Sequence, residues 1–169
     1  STLTEVRDGD DELRSAVLCS IGDTYYKMGT TDSAFVYYDR ALEVNPDNLL
    51  ALNNCAYYLA ETGQDLDKAE KMSAICVRQQ PDNDTALDTY AWILFLEGRY
   101  EEAKMYIDQA ISNDSTDESS ADVYEHAGDI HAMAGDIDKA VEYWKQAQKR
   151  GGESKILARK IKQRKYIKK

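Results

Sequence analysis

Apolar positions in this chain recur as paired helical stripes. Leu13, Val17, Leu18, Ile21 and Tyr25 follow one another at helical steps, which predicts a first helix from the acids Asp10, Asp11 and Glu12 to about Met28. Gly29 is the expected stop. Thr30, Thr31 and Asp32 are expected caps for a second helix from about Ser33 to Val44, burying Ala34, Tyr38, Ala41 and Leu42. Asn45-Pro46-Asp47 then breaks the chain. Residues 1–9 are polar and read as a frayed lead-in.

The same scheme returns three times. Leu52, Cys55, Ala56 and Leu59 line a helix that stops at Gly63; Asp67 is the expected cap of the next, with Ala69, Met72, Ser73 and Cys76 inward and Pro81 as breaker. Leu87, Tyr90, Ala91 and Leu94 precede Gly98, and Ala103, Ile107 and Ala110 follow it. Tyr124, Ala127, Gly128 and His131 precede Gly135, and Ala140, Trp144 and Ala147 follow. The step between copies is 34 to 37 residues, a period that signals stacked repeats. One extra residue falls in the turn Gln64-Asp65-Leu66. The polar loop Ser112–Ser120 accounts for the longest step. After Gly151-Gly152 a basic helix is expected, with Ile156, Leu157, Ile161 and Ile167 on its apolar side.

These residues resemble the tetratricopeptide repeat: a large apolar residue, then Leu-Gly and Tyr on one helix, Ala and an aromatic on the next, then Pro. The stretch Leu18 to Pro46 fits best. The second copy has Ala56 and Ser73 in place of the Gly and the aromatic; the third has Ser115 and the fourth Gly152 in place of the Pro. The resemblance is closest to bacterial repeat proteins, whose arrays are often parts of longer chains. It implies an all-α, right-handed superhelical solenoid of antiparallel helix hairpins. The expected organisation is a lead-in and helix start over 1–14, repeats at 15–48, 49–83, 84–117 and 118–154, and a basic capping helix at 155–169. Small residues such as Gly22, Ala34, Gly128 and Ala140 would let helices approach, and Tyr38 and Trp144 would fill the space between.

Composition and charge narrow the function. Hydrophobic residues make up 43% of the 169, enough for a core. Net charge is −10, but ten Lys/Arg against one acid fall in residues 149–169, leaving −19 on the rest. An acidic body disfavours nucleic acid on the main surface, because phosphate binding needs a basic footprint. The basic end reads as a solvated cap, with binding to anionic lipid or nucleic acid as the other reading. Cys19, Cys55 and Cys76 show neither disulfide nor zinc spacing and fall at buried helical positions. They favour a reducing, cytoplasmic setting, with a periplasmic part of an anchored protein as the alternative. No run reaches membrane-span length, and no signal peptide opens the chain.

Candidate chemistry is sparse. His126 and His131 are five apart, on different faces of one helix, so they do not chelate together. Asp8-Gly9-Asp10-Asp11-Glu12 lacks calcium-loop spacing. No phosphate loop, nucleophile elbow or Cys/His pair occurs, so no enzyme, metal or cofactor is expected. The resemblance implies instead that the inner face of each repeat's first helix lines a groove for a peptide or partner protein. That face carries Asp23, Tyr26, Asn53, Asn54, Tyr57, Asp88, Trp92, Phe95, Asp122, Glu125 and Asp129. Trp92 and Phe95 are expected to be exposed there, beside acids that suit an apolar and basic partner. Asn54 would suit the family's carboxylate clamp, but Cys19, Asp23, Thr85 and Thr89 at the matching positions supply no basic groups, so no such clamp is expected. Self-assembly into homo-oligomers is the alternative role.

Overall fold

The computed structural model describes residues 2–113 and 120–169. Among these the chain forms nine helices and no strand: α1 (Thr2–Lys27), α2 (Thr31–Val44), α3 (Leu49–Glu61), α4 (Leu66–Gln79), α5 (Asp84–Leu96), α6 (Tyr100–Ser112), α7 (Ala121–Met133), α8 (Ile137–Lys149) and α9 (Lys155–Gln163). They fall into two compact units, residues 1–76 and 77–169. Most of the polar loop expected at 112–120, including Ser115, lies outside the described residues.

Helix boundaries follow the expected punctuation closely. Gly29, Gly63, Gly98, Gly135 and Gly151 all have positive φ. At Gly63 (φ 68) the turn also takes the Gln64 N–H back to Leu59 O, the bond that closes a helix end. Four details differ, one being that the basic capping helix expected at 155–169 ends at Gln163. α1 begins at Thr2 and not at Asp10, so the segment 8–12 is helical and not a loop. Gly9 costs a helix only about 1 kcal/mol, and no proline interrupts it. Thr30 is the N-cap of α2 but makes no side-chain cap bond. At α4 the capping side chain is Asp65, accepting from Lys68 N–H at 3.0 Å, because the helix already starts at Leu66 and Asp67 lies inside its first turn.

In the first unit, the buried stripe of α1 is Ser15, Cys19 and Gly22. Leu13 and Val17, expected inside, are 63% and 51% exposed. The small stripe wins because it admits close approach: a Cβ on Gly22 would lie 2.9 Å from Tyr38 Cε1. Ser15 Oγ–H donates to Ala41 O at 2.7 Å and accepts from Asn48 Nδ2 at 2.8 Å, while Asn48 caps α3. One buried hydroxyl thus ties α1 to the end of α2 and the start of α3. The thiols of Cys19, Cys55 and Cys76 are free and buried; burial pushes them up to about 12, about 12 and about 11.

In the second unit, Ala140, Val141, Trp144 and Ala147 of α8 pack with Tyr124 of α7 and Leu157 of α9. Ile161 joins them and Ile156 is half-buried, as their spacing predicts, but α9 ends at Gln163, so Ile167 lies beyond the helix and not on its apolar side. The Trp144 indole lies closer still to the backbone of α7 than Tyr38 does to that of α1. A Cβ on Gly128 would fall 2.2 Å from Trp144 Cδ1.

Candidate functional site

The expected partner face is described unit by unit. In the first unit it lies on α1 and α3. Asp23 accepts from Asn54 Nδ2 at 3.1 Å and from the Tyr38 hydroxyl, so its carboxylate joins three helices. Burial and the Asp23 carboxylate together push the Tyr38 phenol well above the ordinary tyrosine range. Tyr26 stacks on Tyr58 with centroids 3.6 Å apart, and Tyr57 meets Tyr58 edge-on at 5.7 Å. Tyr26, Tyr57 and Tyr58 are all half-buried, so this face offers partly open aromatic surface. Asn53 is buried, and its Oδ1 meets no hydrogen-bond partner among the described residues.

In the second unit the face lies on α5 and α7, and it is built differently from the expectation. Trp92 and Phe95 are buried, at 8% and 5% exposure, not exposed. Trp92 is sandwiched: its ring stacks on Phe95 at 4.7 Å and on His126 at 4.1 Å. His126 Nδ1 lies 2.9 Å from Asp88 Oδ1. Burial lowers the affinity of His126 for a proton, but the Asp88 carboxylate, with Asp129 and Asp122 nearby, outweighs it and holds the imidazole above its ordinary pKa. Asp122 itself is exposed at the start of α7.

Glu125 and Asp129, expected to face an open groove, are buried at 5% and 2% exposure. The physical reason is Lys160. This lysine of α9 is wholly buried, with Nζ 2.9 Å from Glu125 Oε1 and 2.8 Å from Asp129. Trp144 Nε1–H also donates to Asp129 Oδ1 at 3.0 Å. Burial pushes Asp129 above the usual aspartate range, more than Lys160 and Trp144 pull it down. For Glu125, burial pushes up too, but Lys160 and Lys169 win and hold it below its usual value.

The segment after α9 completes the cover. The Tyr166 ring lies edge-on to Phe95 at 5.3 Å, and Lys169 Nζ is 3.4 Å from Glu125 Oε2. The basic end of the chain is therefore not simply a solvated cap. The signal missed in the sequence is the placement of Lys160, three residues after Leu157 and next to Ile161, on the apolar stripe of α9. His131, the other histidine of α7, is buried with Nε2 2.7 Å from Asp108 Oδ1.

Two comparisons in sequence and one in structure bear on this arrangement. Tetratricopeptide repeat family models match residues 15–48 and 91–154. Over 66 residues, 39% of this chain, it is 32% identical to the TPR repeat-containing protein PA4667 of Pseudomonas aeruginosa and 36% identical to the uncharacterized protein ycf37 of Pyropia yezoensis. Those stretches span only 11% and 36% of the two relatives. The fold is similar to that of Pseudomonas aeruginosa pilF (TM-score 0.78, 20% identity, 92% of this chain and 69% of that one). It is similar also to PilW, a type IV pilus biogenesis factor (TM-score 0.72, 23% identity, 80% and 61%), and to MamA (TM-score 0.66, 21% identity, 85% and 82%).

Proposed function

Since the chain belongs to the tetratricopeptide repeat family, we propose that it is a noncatalytic scaffold that holds a peptide or partner protein on the first-helix faces of its repeats. The repeats are those read at 15–48, 49–83, 84–117 and 118–154. The observation that carries the reading is the aromatic and acidic lining of these faces, which helix packing alone does not require. In the first unit it is Tyr26, Tyr57 and Tyr58 beside Asp23 and Asn54; in the second it is the Trp92–Phe95–His126 stack, which the end of the chain covers, with the exposed Asp122 at the start of α7. Rigid aromatics lose little entropy on binding, and neighbouring carboxylates select basic groups.

The test is capture of partners by the full chain, followed by affinity measurements with Tyr57→Ala and Asp122→Lys. Both positions keep solvent access, so neither substitution strips the core. Each should weaken a groove-bound partner about tenfold. A captured partner whose affinity is untouched by both variants would sink the reading. A second role, self-assembly, is favoured by Leu13 and Val17, which stand exposed one turn apart on α1. Light scattering of the chain and of Val17→Lys decides it: a monomer in both at high concentration excludes that surface.

A further inference from the structure

The residues beyond α9 lie against the α5/α7 face of the second unit. Arg164 ends α9 in the left-handed conformation, φ 51, the one non-glycine residue among those described with positive φ. The Lys165 N–H closes back on Lys160 O at 3.3 Å, and the chain leaves the helix without forming another element. That turn delivers Tyr166 edge-on to Phe95 and, three residues later, Lys169 to Glu125. Tyr166 also lies over Lys160 Nζ, at 5.5 Å from its centroid. An aromatic ring thus sits on the aromatic stack, and an ammonium sits on the acid.

The hold on this segment differs from the hold on α9. Leu157 and Lys160 anchor α9, and both are wholly buried. Residues 164–169 are half-buried or exposed, the Lys169 side chain is 60% exposed, and Arg164 pairs with Asp138 in solvent. A solvent-exposed ion pair such as Arg164–Asp138, and contacts made by half-buried or exposed side chains, come apart more easily than a buried anchor.

We propose that residues 164–169 are a displaceable occupant of the α5/α7 face, and that the partner taken there is an extended segment carrying an aromatic residue with a basic residue three positions after it. This rests on the reading of that face as a partner surface. The tethered segment competes at high effective concentration, so the partner's apparent affinity falls by the fraction of chains in which the segment is docked. Displacement leaves α9 in place, with Lys160 still neutralising Glu125 and Asp129.

The two indole N–H signals, Trp92 and Trp144, report the two layers separately in a 15N NMR spectrum. Trp92 lies in the stack that Tyr166 covers; Trp144 is wholly buried and bonded to Asp129. The full chain is compared with its Tyr166→Ser/Lys169→Glu variant, using a synthetic peptide of residues 162–169 as probe. In the variant the Trp92 signal should move while Trp144 stays. The peptide should return Trp92 toward its original position and bind the variant about tenfold or more tighter than the full chain. If Trp144 moves as well, α9 has been disturbed, and Tyr166→Leu alone supplies the same comparison. An unchanged Trp92 signal, or a peptide that binds both proteins equally or neither, overturns the occupant. So does a Trp92 signal that changes on dilution alongside a dimer in light scattering, because the segment would then come from a second copy. None of these outcomes touches the partner surface itself, which the Tyr57 and Asp122 variants decide.

Discussion

Lys160 joins α9 to α7 through a wholly buried ammonium held by Glu125 and Asp129. A lysine this buried survives because two carboxylates neutralise it. Removing it leaves Glu125 and Asp129 facing each other without a buried cation. Lys160→Met should therefore lower unfolding free energy by about 3 kcal/mol. Urea titration measures the loss, and adding Glu125→Gln and Asp129→Asn should recover most of it, since the mutual repulsion is then gone. Gly128 is the steric counterpart. Its missing Cβ would overlap the Trp144 indole, so Gly128→Ala should cost about 2 kcal/mol, read as a lower urea midpoint. The same substitution at Gly9, where a Cβ meets nothing within 4 Å, should be neutral or mildly stabilising.

Among the elements, α7 stands out because it is buried nearly all round, from Val123 to His131. A helix with that much polar sequence reads as amphipathic. It is instead enclosed by α6, α8 and the cover from α9, and the charged residues and histidines it buries each meet a partner. His126 gives α7 a pH signature. Its folded pKa is raised above the unfolded value, so its contribution is fully present below about pH 6.5 and is lost as pH rises through the folded pKa. The groups facing it are Asp88 on α5 and Asp129 and Asp122 on α7. The stability difference between the protein and Asp88→Asn should be full below about pH 6.5 and shrink as pH rises above it. Thermal unfolding on both sides of that pH measures it, and a constant difference would contradict the imidazolium–Asp88 pairing.

At the scale of the whole molecule, stability in a repeat array is a sum over neighbouring layers, and the exposed last layer needs a cover. α9 supplies it by burying Leu157 against Tyr124, Val141 and Trp144. Ending the chain at Ser154 should then expose that apolar cluster, lower the thermal midpoint by several degrees and raise aggregation. Removing only residues 164–169 should leave the midpoint nearly unchanged, because these residues bury no fully enclosed side chain. Calorimetry of the two shortened chains separates the structural role of α9 from the occupant role of residues 164–169.

The repeat period, the helix pairs and the packing residues are legible in the sequence because each depends on local properties. Glycine at a helix end, small residues where two helices cross, and large apolar residues between them act within one repeat and recur with it. Tyr38, Ala103, Ile107, Ala140 and Trp144 lie buried where their spacing places them. The state of the partner face is not local. Trp92, Phe95, Glu125 and Asp129 do share one face of the second unit, as the helical register implies. Whether that face stands open depends on Lys160, Tyr166 and Lys169, which are 31 to 74 residues from the groups they cover. Periodicity reports which side of a helix a residue occupies. Only the tertiary structure, through the turn at Arg164 and the buried charge of Lys160, decides that this side is already covered.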